Sequence, residues 1–371
     1  MSSLIRKIPI AKPLIGEEEI KAVVDVLKSG ILAQGKEVEA FEKEFAEYLG
    51  IKNAVAVCNG TAALDIALKA LEIEPGDEVI TTPFTFIASA NAILFQGAKP
   101  VFADIDPKTY NLDVDEVVEK INRKTRAILV VHLYGQAAKV DELKEIAEDY
   151  KLFLIEDCAQ AHGAEFKGKK VGTFGDVAVF SFYPTKNITT GEGGMVVTNN
   201  QELAKKCNIM RDHGQIEKYL HFELGYNFRM TNIAAAIGRV QLRKLDEWNE
   251  KRIRNANFLS NEIRKIKGLR PPYVSSEVKH VFNQYVVKIE DSYITRSELI
   301  QKLGERGIGT AVHYPLPVHH QPLYRRLGYP EEICPNAIDA SKKVLSLPVH
   351  PALSEEDLLY IVNSVREILY V

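Results

Sequence analysis

The sequence is poor in cysteine, has a single tryptophan and carries no excess of either charge. Its four cysteines, Cys58, Cys158, Cys207 and Cys334, are scattered without a C-x-x-C pair, so neither a disulfide framework nor a zinc site is spelled out. Small thiols in a reducing compartment are the ordinary reading. Lys and Arg number 47 against 50 Asp and Glu, a formal net charge of −3. That leaves no basic surplus to recruit nucleic acid or an anionic membrane, and neither partner is expected. No stretch approaches the roughly 18 apolar residues of a membrane span. The opening MSSLIRKIPIAKPLIGEEEI lacks the continuous apolar run of a signal peptide, so a cytoplasmic location is expected. Neither G-x-x-x-x-G-K-[ST] nor G-x-G-x-x-G occurs, which argues against a P-loop enzyme and a nicotinamide dehydrogenase.

What is present is ordinary in bulk. Hydrophobic residues make up 46% and charged residues 26% of 371, as in soluble globular proteins. At about 150 residues per domain the length suggests two or three domains. A chain this size buries roughly 75% of its unfolded surface and needs no covalent staple.

The patterning is more informative. Residues 16–28 read as a helix with Ile20, Val23, Val24 and Leu27 on one face and Gly30 placed to end it. A second helix runs over 36–48, with Val38, Phe41 and Phe45 as its apolar stripe. Seven short Val- and Ile-rich runs follow, at 54–57, 78–81, 100–103, 127–131, 152–155, 177–182 and 195–198. They show little alternation, as strands covered on both faces do. Helical segments such as 62–71 and 141–150 lie between them. The β–α alternation predicts an α/β fold, a large three-layer α/β/α domain with a mainly parallel seven-stranded sheet. From 231 to 267 the chain reads as one long connecting helix. Beyond it, a strand at 284–289, a helix at 296–304, a Pro- and His-rich loop at 312–323 and a capping box at Ser354-Glu-Glu-Asp357 opening a last helix predict a smaller α+β domain. The expected division is an N-terminal arm at 1–15, a large domain at 16–243 and a small one at 244–371.

In open parallel sheets ligands bind beyond the carboxyl ends of the strands, so the residues after each strand matter most. The first strand ends Cys58-Asn59-Gly60-Thr61 and enters a helix. Gly-Thr at a helix start offers free N–H groups and a hydroxyl to an anion, although a plain N-cap by Thr61 explains the same residues. The turn after the second strand, Thr81-Thr82-Pro83-Phe84-Thr85-Phe86, is unusually aromatic, yet Phe86 alone reads equally well as core. The fifth strand ends Ile155-Glu156-Asp157-Cys158-Ala159-Gln160. A carboxylate there is costly unless paired, which makes Asp157 a structural ion pair, a cap or a ligand anchor. The sixth ends Ser181-Phe182-Tyr183-Pro184-Thr185-Lys186, ahead of a glycine-rich turn. Lys186 is there a snorkelling or phosphate-binding lysine, or a reactive amine.

Taken together, these are the parts for holding pyridoxal 5′-phosphate (PLP). That cofactor requires a lysine amine for a Schiff base, a carboxylate against its pyridine nitrogen, an anion site and a flat apolar face. A lysine released by an incoming amine is also placed to shuttle a proton.

At this point the sequence resembles the DegT/DnrJ/EryC1/StrS family of sugar aminotransferases, within the aspartate aminotransferase-like fold-type-I PLP enzymes. The likeness covers nearly the whole chain. It runs from SGILAQGKEVEAFE through NGTAALDIAL, TTPFTFIASANAI, IEDCAQAHGA and VGTFGDVAVFSFYPTKNITTGEGGM to RDHG, GYNFRMTNIAAAIG and HYPLPVHHQPLY. The resemblance implies that Lys186 forms the Schiff base and carries the proton, and that Asp157 pairs with the pyridine nitrogen. It implies that Phe86 stacks on the ring and Gln160 sits near the ring hydroxyl. Gly60, Thr61 and Ser181 would bind the phosphate, with Asn227 reaching in from a second subunit, which makes the expected protein a homodimer with shared sites. Tyr183, His313 and Tyr314 match positions that face substrate, and Arg229 is a further substrate or subunit contact. The implied reaction is ping-pong transfer of an amino group, with glutamate the expected donor, to a keto-sugar nucleotide. Relatives in which histidine replaces the lysine act as dehydratases, and Lys186 favours transamination. A related PLP-dependent sugar dehydratase, transamination of a non-nucleotide cyclic ketone and a non-catalytic sensor are the competing readings. His319 and His320 read as a surface loop, and without a third ligand they make no metal site.

Overall fold

In a computed structural model, residues 6–290 and 294–370 are described. Residues 1–5 of the expected arm, and 291–293 and 371 of the expected small domain, lie outside the described residues.

The helices are α1 (Glu17–Ser29), α2 (Lys36–Leu49), α3 (Gly60–Ala70), α4 (Ala88–Phe95), α5 (Val114–Lys120), α6 (Val140–Tyr150), α7 (Gln201–Arg211), α8 (Asn232–Ile263), α9 (Arg296–Glu305), α10 (Pro322–Arg326), α11 (Pro335–Lys343) and α12 (Glu355–Leu369). The main strands are β1 (Asn53–Val57), β2 (Glu78–Thr81), β3 (Lys99–Phe102), β4 (Thr125–Val131), β5 (Phe153–Asp157), β6 (Val177–Ser181), β7 (Gly194–Thr198), β8 (Leu269–Arg270), β9 (Tyr285–Ile289) and β10 (Val344–Leu347).

The first seven strands form one sheet in the order β1-β7-β6-β5-β4-β2-β3. Only β7 runs antiparallel to its neighbours. Successive strand residues feed opposite cores, as the pleat requires. Ile155 and Val179 pack with α3, α4 and α7 residues, while Leu154 and Phe180 pack with Phe41 and Phe45 of α2 and with α6 and α8. The three layers follow from that alternation, and all seven expected strands are present. The boundaries move by two residues at most, with β6 yielding Phe182 to the following turn.

Local chemistry accounts for the helix ends. The first turn of α1 carries Glu17, Glu18 and Glu19, favourable near a helix N-terminus. Gly30 closes it in the left-handed region, with φ 71°. Thr231 opens α8 by accepting from the Ala234 N–H, and Ser354 and Asp357 form the expected box on α12. At roughly 1.5 Å per residue, the 32 residues of α8 span about 48 Å. The helix crosses the expected boundary at 243/244 without a break. Its first half packs on α1 and α2. Its second half places Ala256, Leu259 and Ile263 in the small-lobe core with Tyr285, Leu345 and Ile361. There the antiparallel sheet β8-β9-β10 completes the lobe.

Two expectations about packing change. The expected apolar stripe of α1 is largely turned outward, with Ile20, Val24 and Leu27 exposed and Val23 half-buried. The helix docks instead through Val26, 5% exposed, and Glu19, 1% exposed, whose carboxylate accepts from Gln241 Nε2 at 2.9 Å and Lys244 Nζ at 3.0 Å. The loop expected at the surface is also packed, and His319 is fully buried, its ring beside Phe102. The reason is that residues 318–337 return from the small lobe to the large one. The Val318 N–H donates to the Pro83 carbonyl at 2.7 Å, and the Tyr329 hydroxyl to the Pro100 carbonyl at 2.6 Å. Farther on, the Asn336 and Ala337 N–H groups donate to the Asp104 carboxylate at 2.8 and 3.0 Å. Among the described residues no helix is long and apolar enough to cross a membrane.

Candidate active site

The carboxyl ends of β1, β5 and β6 open on one cleft. At the end of β1 the helix cap is Asn59, not Thr61: its side-chain oxygen accepts from the Ala62 N–H at 2.8 Å. Gly60 and Thr61 therefore start the first turn of α3 with donors left over for an anion. Gly60 lies hard against the end of β6. A β-carbon there would stand 2.7 Å from Ser181 Cβ and 3.4 Å from its Cα. Only glycine permits this approach, and it brings the Ser181 hydroxyl to the helix terminus. The resulting cradle of N–H and O–H donors fits a phosphate.

Asp157, the last residue of β5, is buried. Its Oδ2 accepts from the Ser89 hydroxyl at 2.8 Å and its Oδ1 from the Ala159 N–H at 3.0 Å. Burial pushes its carboxyl up from the ordinary value, and those donors and the charge of Lys186 oppose the rise. A cation set against it restores the ionised form, which suits a protonated ring nitrogen. Ser89, itself 3.2 Å from the Thr85 hydroxyl, was not singled out from the sequence. The hydroxyl-rich TTPFTFIASA stretch was the signal.

Lys186 follows β6 in a turn closed by its own N–H to the Tyr183 carbonyl at 2.9 Å. The turn is pinned from the small lobe. Asn187 Nδ2 donates to Asn249 Oδ1 on α8 at 2.7 Å, and Asn283 Nδ2 to the Thr185 carbonyl at 3.1 Å. These asparagines were also missed, because their pairing joins residues far apart in the chain. Burial pulls the Lys186 amine down to about 8, with Asp157 resisting. A lysine so placed supplies free amine near neutral pH, which nucleophilic attack on a carbonyl requires.

Gln160 is locked by two contacts. Its Oε1 accepts from the Tyr134 N–H at 2.8 Å and its Nε2 donates to the Tyr314 hydroxyl at 2.9 Å. Tyr134 sits at φ 61° and its hydroxyl donates to the His313 carbonyl. His313 and Tyr314 are thereby held over the cleft from the small lobe. The His313 ring meets Ser346 Oγ at 2.8 Å, and burial lowers its pKa to about 4 with Lys186 adding to the effect. Phe86 is 58% exposed, leaving ring area free for stacking. Tyr183 is likewise exposed.

Two expected residues lie on the segment 227–229, whose backbone is bridged to the end of β1 (Val57 with Arg229) and whose Phe228 carbonyl accepts from the Cys58 N–H at 2.7 Å. Arg229 is paired within the chain to Asp212 and reaches His213 Nδ1 at 3.0 Å, so its charge is already balanced. Asn227 is exposed on a segment bridged to Asp212. Among the described residues no hydrogen bond ties down its side chain.

On the opposite face of β5 lies a second buried group, His132, Glu156 and Cys158, with metal-like spacing. Its chemistry is already used internally. Glu156 accepts from the N–H groups of Gly172, Phe174 and Gly175 at 2.7–2.8 Å and faces His132 Nε2 at 3.0 Å. Burial opposes its charge, but His132 and these N–H groups hold its carboxyl below the usual range.

Comparison with known proteins agrees with this geometry. Residues 13–366 match the DegT/DnrJ/EryC1/StrS aminotransferase family. A GDP-perosamine synthase of Escherichia coli O157:H7 is 40% identical over 369 residues, 98% of this chain and 99% of that one. A dTDP-3-amino-3,4,6-trideoxy-alpha-D-glucose transaminase of Streptomyces venezuelae is 39% identical over 367 residues, covering 97% and 96%. The crystal structure of S. venezuelae DesV in complex with a ketimine intermediate superposes with a TM-score of 0.91 at 40% identity, over 94% of each chain. Aminotransferases of this family depend on PLP. The chain, with a lysine, a buried carboxylate and an anion cradle at its strand ends, belongs to the DegT/DnrJ/EryC1/StrS aminotransferase family.

Proposed function

We propose that this protein binds PLP between Phe86 and the small lobe and uses it to aminate a keto-sugar linked to a nucleoside diphosphate, with glutamate as donor. The observation that carries the reading is the junction of Gly60 with Ser181, which sets a phosphate cradle beside the cleft of Asp157 and Lys186. When bound, the cofactor supplies an electron sink for the carbon that gains or loses a proton.

The chain's own residues do the rest. Gly60, Thr61 and Ser181 hold the phosphate, and Asp157 keeps the ring nitrogen protonated. Gln160, fixed by Tyr134 and Tyr314, sets the ring hydroxyl. Lys186 anchors the cofactor and, once released, moves the proton, for which an amine near 8 is well matched. Tyr183, His313 and Tyr314 face the sugar. The nucleotide-sugar substrate is supported by what the relatives are named for.

The working unit of this proposal is a homodimer in the cytoplasm. The outward face of α1 and the apolar tip at 216–224, where Tyr219 is 81% and Phe222 72% exposed, offer surface of the kind that subunits cover. Asn227 follows that tip directly and completes the partner's phosphate site. The test is to load the protein with PLP and reduce it with borohydride. The cofactor is expected on Lys186, and amino transfer from glutamate to a panel of keto-sugar nucleotides is expected to depend on that residue. Label on another lysine, or turnover by Lys186→Ala, overturns the assignment.

A further inference from the structure

Three buried asparagines stand in a row around the Lys186 turn, and each donates to the next group along. Asn283 Nδ2 donates to Asn187 Oδ1 at 3.1 Å, Asn187 Nδ2 to Asn249 Oδ1 at 2.7 Å, and Asn249 Nδ2 to the His162 carbonyl at 2.8 Å. Two further bonds brace the row, from Asn283 Nδ2 to the Thr185 carbonyl and from Asn187 Nδ2 to the Val281 carbonyl, both at 3.1 Å. Every one of these amides thus faces a backbone carbonyl, which can only accept, so the orientation of all three is fixed. The row grips Lys186 by both chain neighbours, Thr185 and Asn187. It ends at His162, two residues after Gln160, and so joins the Lys186 turn to the segment that carries Gln160.

Asn249 is the link between the two strand ends. It lies fully buried on α8, and about two turns earlier in that helix Gln241 Oε1 accepts from the Thr189 N–H at 3.3 Å. The approach at Asn249 is close. Gly163 has φ 76°, and a β-carbon there would stand 2.8 Å from Asn249 Nδ2 and 2.5 Å from the Tyr48 hydroxyl. Glycine at 163 is what lets the helix reach the His162 carbonyl. Apolar side chains could fill the same space at little cost in stability, because both partners of a buried hydrogen bond can be replaced almost neutrally. What a satisfied polar network adds is one rigid arrangement. Rigidity matters at an amine that must meet a reacting carbon, where a misplacement of about 1 Å costs about a hundredfold in rate.

We propose that Asn249 and Asn283 are positioning residues for proton transfer by Lys186. Acting through Asn187 and Thr185, they fix the amine's turn relative to Gln160, which Tyr134 and Tyr314 hold in turn. The inference rests on the aminotransferase reading and adds to it which residues outside the cleft set the rate of the proton step. Phosphate and substrate binding fall to other residues, Gly60, Thr61 and Ser181 on one side and Tyr183, His313 and Tyr314 on the other. Cutting the row therefore slows the transfer and leaves affinity nearly intact.

The test compares Asn249→Leu, which cuts the row in the middle, and Asn283→Ala, which cuts one end, with Asn255→Leu as control. Asn255 is a buried asparagine of the same helix that donates to the Val349 and His350 carbonyls, away from the turn. In the PLP-loaded protein the single-turnover rate of the glutamate half-reaction is expected to fall at least tenfold in both row variants and less than threefold in the control. The glutamate concentration for half the maximal rate and the affinity for PLP are expected to stay within threefold, with an α-deuterium isotope effect at least as large as in wild type. In the apoprotein, the pH midpoint for modification of Lys186 by an amine-selective reagent is expected to move up from about 8 in both row variants, because a slack turn admits water to the amine. An unchanged rate and midpoint in Asn283→Ala, which leaves α8 untouched, an equal loss in Asn255→Leu, or a loss confined to affinity and Tm each overturns the proposal. A moved midpoint in a protein whose wild type takes no amino group from glutamate leaves the positioning of Lys186 standing and removes the aminotransferase reading instead.

Discussion

Replacing Gly60 with alanine tests the phosphate cradle at one atom. The added carbon would stand 2.7 Å from Ser181 Cβ and 3.4 Å from Ser181 Cα, whereas carbons rest about 3.5–4.0 Å apart. A β-carbon has no rotamer to escape through, so the first turn of α3 or the end of β6 must retreat by about 1 Å. Helix propensity works the other way, since alanine in place of a helical glycine contributes about 0.5–1 kcal/mol. Overpacking costs about 1–3 kcal/mol, so the fold survives with a small net loss. The phosphate site suffers more. Each hydrogen bond to a charged group is worth about 1.5–3 kcal/mol, and losing one weakens binding about tenfold to a hundredfold. The assay is a titration of the apoprotein with PLP, followed by visible absorbance, alongside melting with and without the cofactor. Gly304 in α9, where a β-carbon meets nothing within 4 Å, supplies the control. Gly304→Ala is expected to raise Tm slightly and leave PLP affinity alone. If Gly60→Ala binds PLP within twofold of wild type, the cradle is not built from this contact.

Other expectations follow from the same site. Lys186 titrates near 8 in the fold against 10.5 in a free side chain. The unfolded chain therefore binds more protons between those values, and the amine's penalty on stability is full below 8 and fades as pH rises to 10.5. Apo Lys186→Met is expected to exceed wild type by up to about 3 kcal/mol at pH 7, with a smaller gain at pH 9.5. An equal gain at both pH values refutes the linkage. Asp157→Asn removes the charge that holds the amine up, so the Lys186 pKa in the apoprotein falls below about 8, read by the pH dependence of Lys186 modification with an amine-selective reagent, with at least a hundredfold loss of amino transfer in the loaded protein; an unshifted titration contradicts the pairing. Glu156→Ala leaves three buried N–H groups unpartnered and is expected to cost about 3–5 kcal/mol by chemical denaturation; a loss below about 1 kcal/mol removes Glu156 from the scaffold. Phe222→Asp is expected to shift sedimentation from dimer to monomer, and an unchanged dimer excludes the 216–224 tip from the interface.

Much of the fold was legible because buried strands leave a simple trace. Runs such as AILVV at β4 and VAVF at β6 are apolar on both faces, and their ends mark where ligands sit. Asp157 and Lys186 could be found that way, since an acid and an amine at buried strand ends are costly without a purpose. What escaped was whatever depends on partners remote in sequence. The α1 stripe reads as core because periodicity reports which side is apolar and not what covers it. His319 reads as surface because a Pro-rich loop usually is, and its burial comes from Phe102, over 200 residues earlier. The asparagines that pin the Lys186 turn carry no pattern of their own.

The segment returning across the large lobe has a consequence for how the molecule comes apart. Separate lobes in one chain commonly move and melt independently. Here α8 runs through both without a hinge, and the return strap fastens the small lobe to the ends of β2 and β3 through backbone carbonyls and Asp104. Neither lobe can lose its structure without stripping hydrogen bonds from the other. Heating is therefore expected to give a single cooperative endotherm in place of two, and the cleft between the lobes to behave as a rigid slot that substrates enter instead of a jaw that shuts on them.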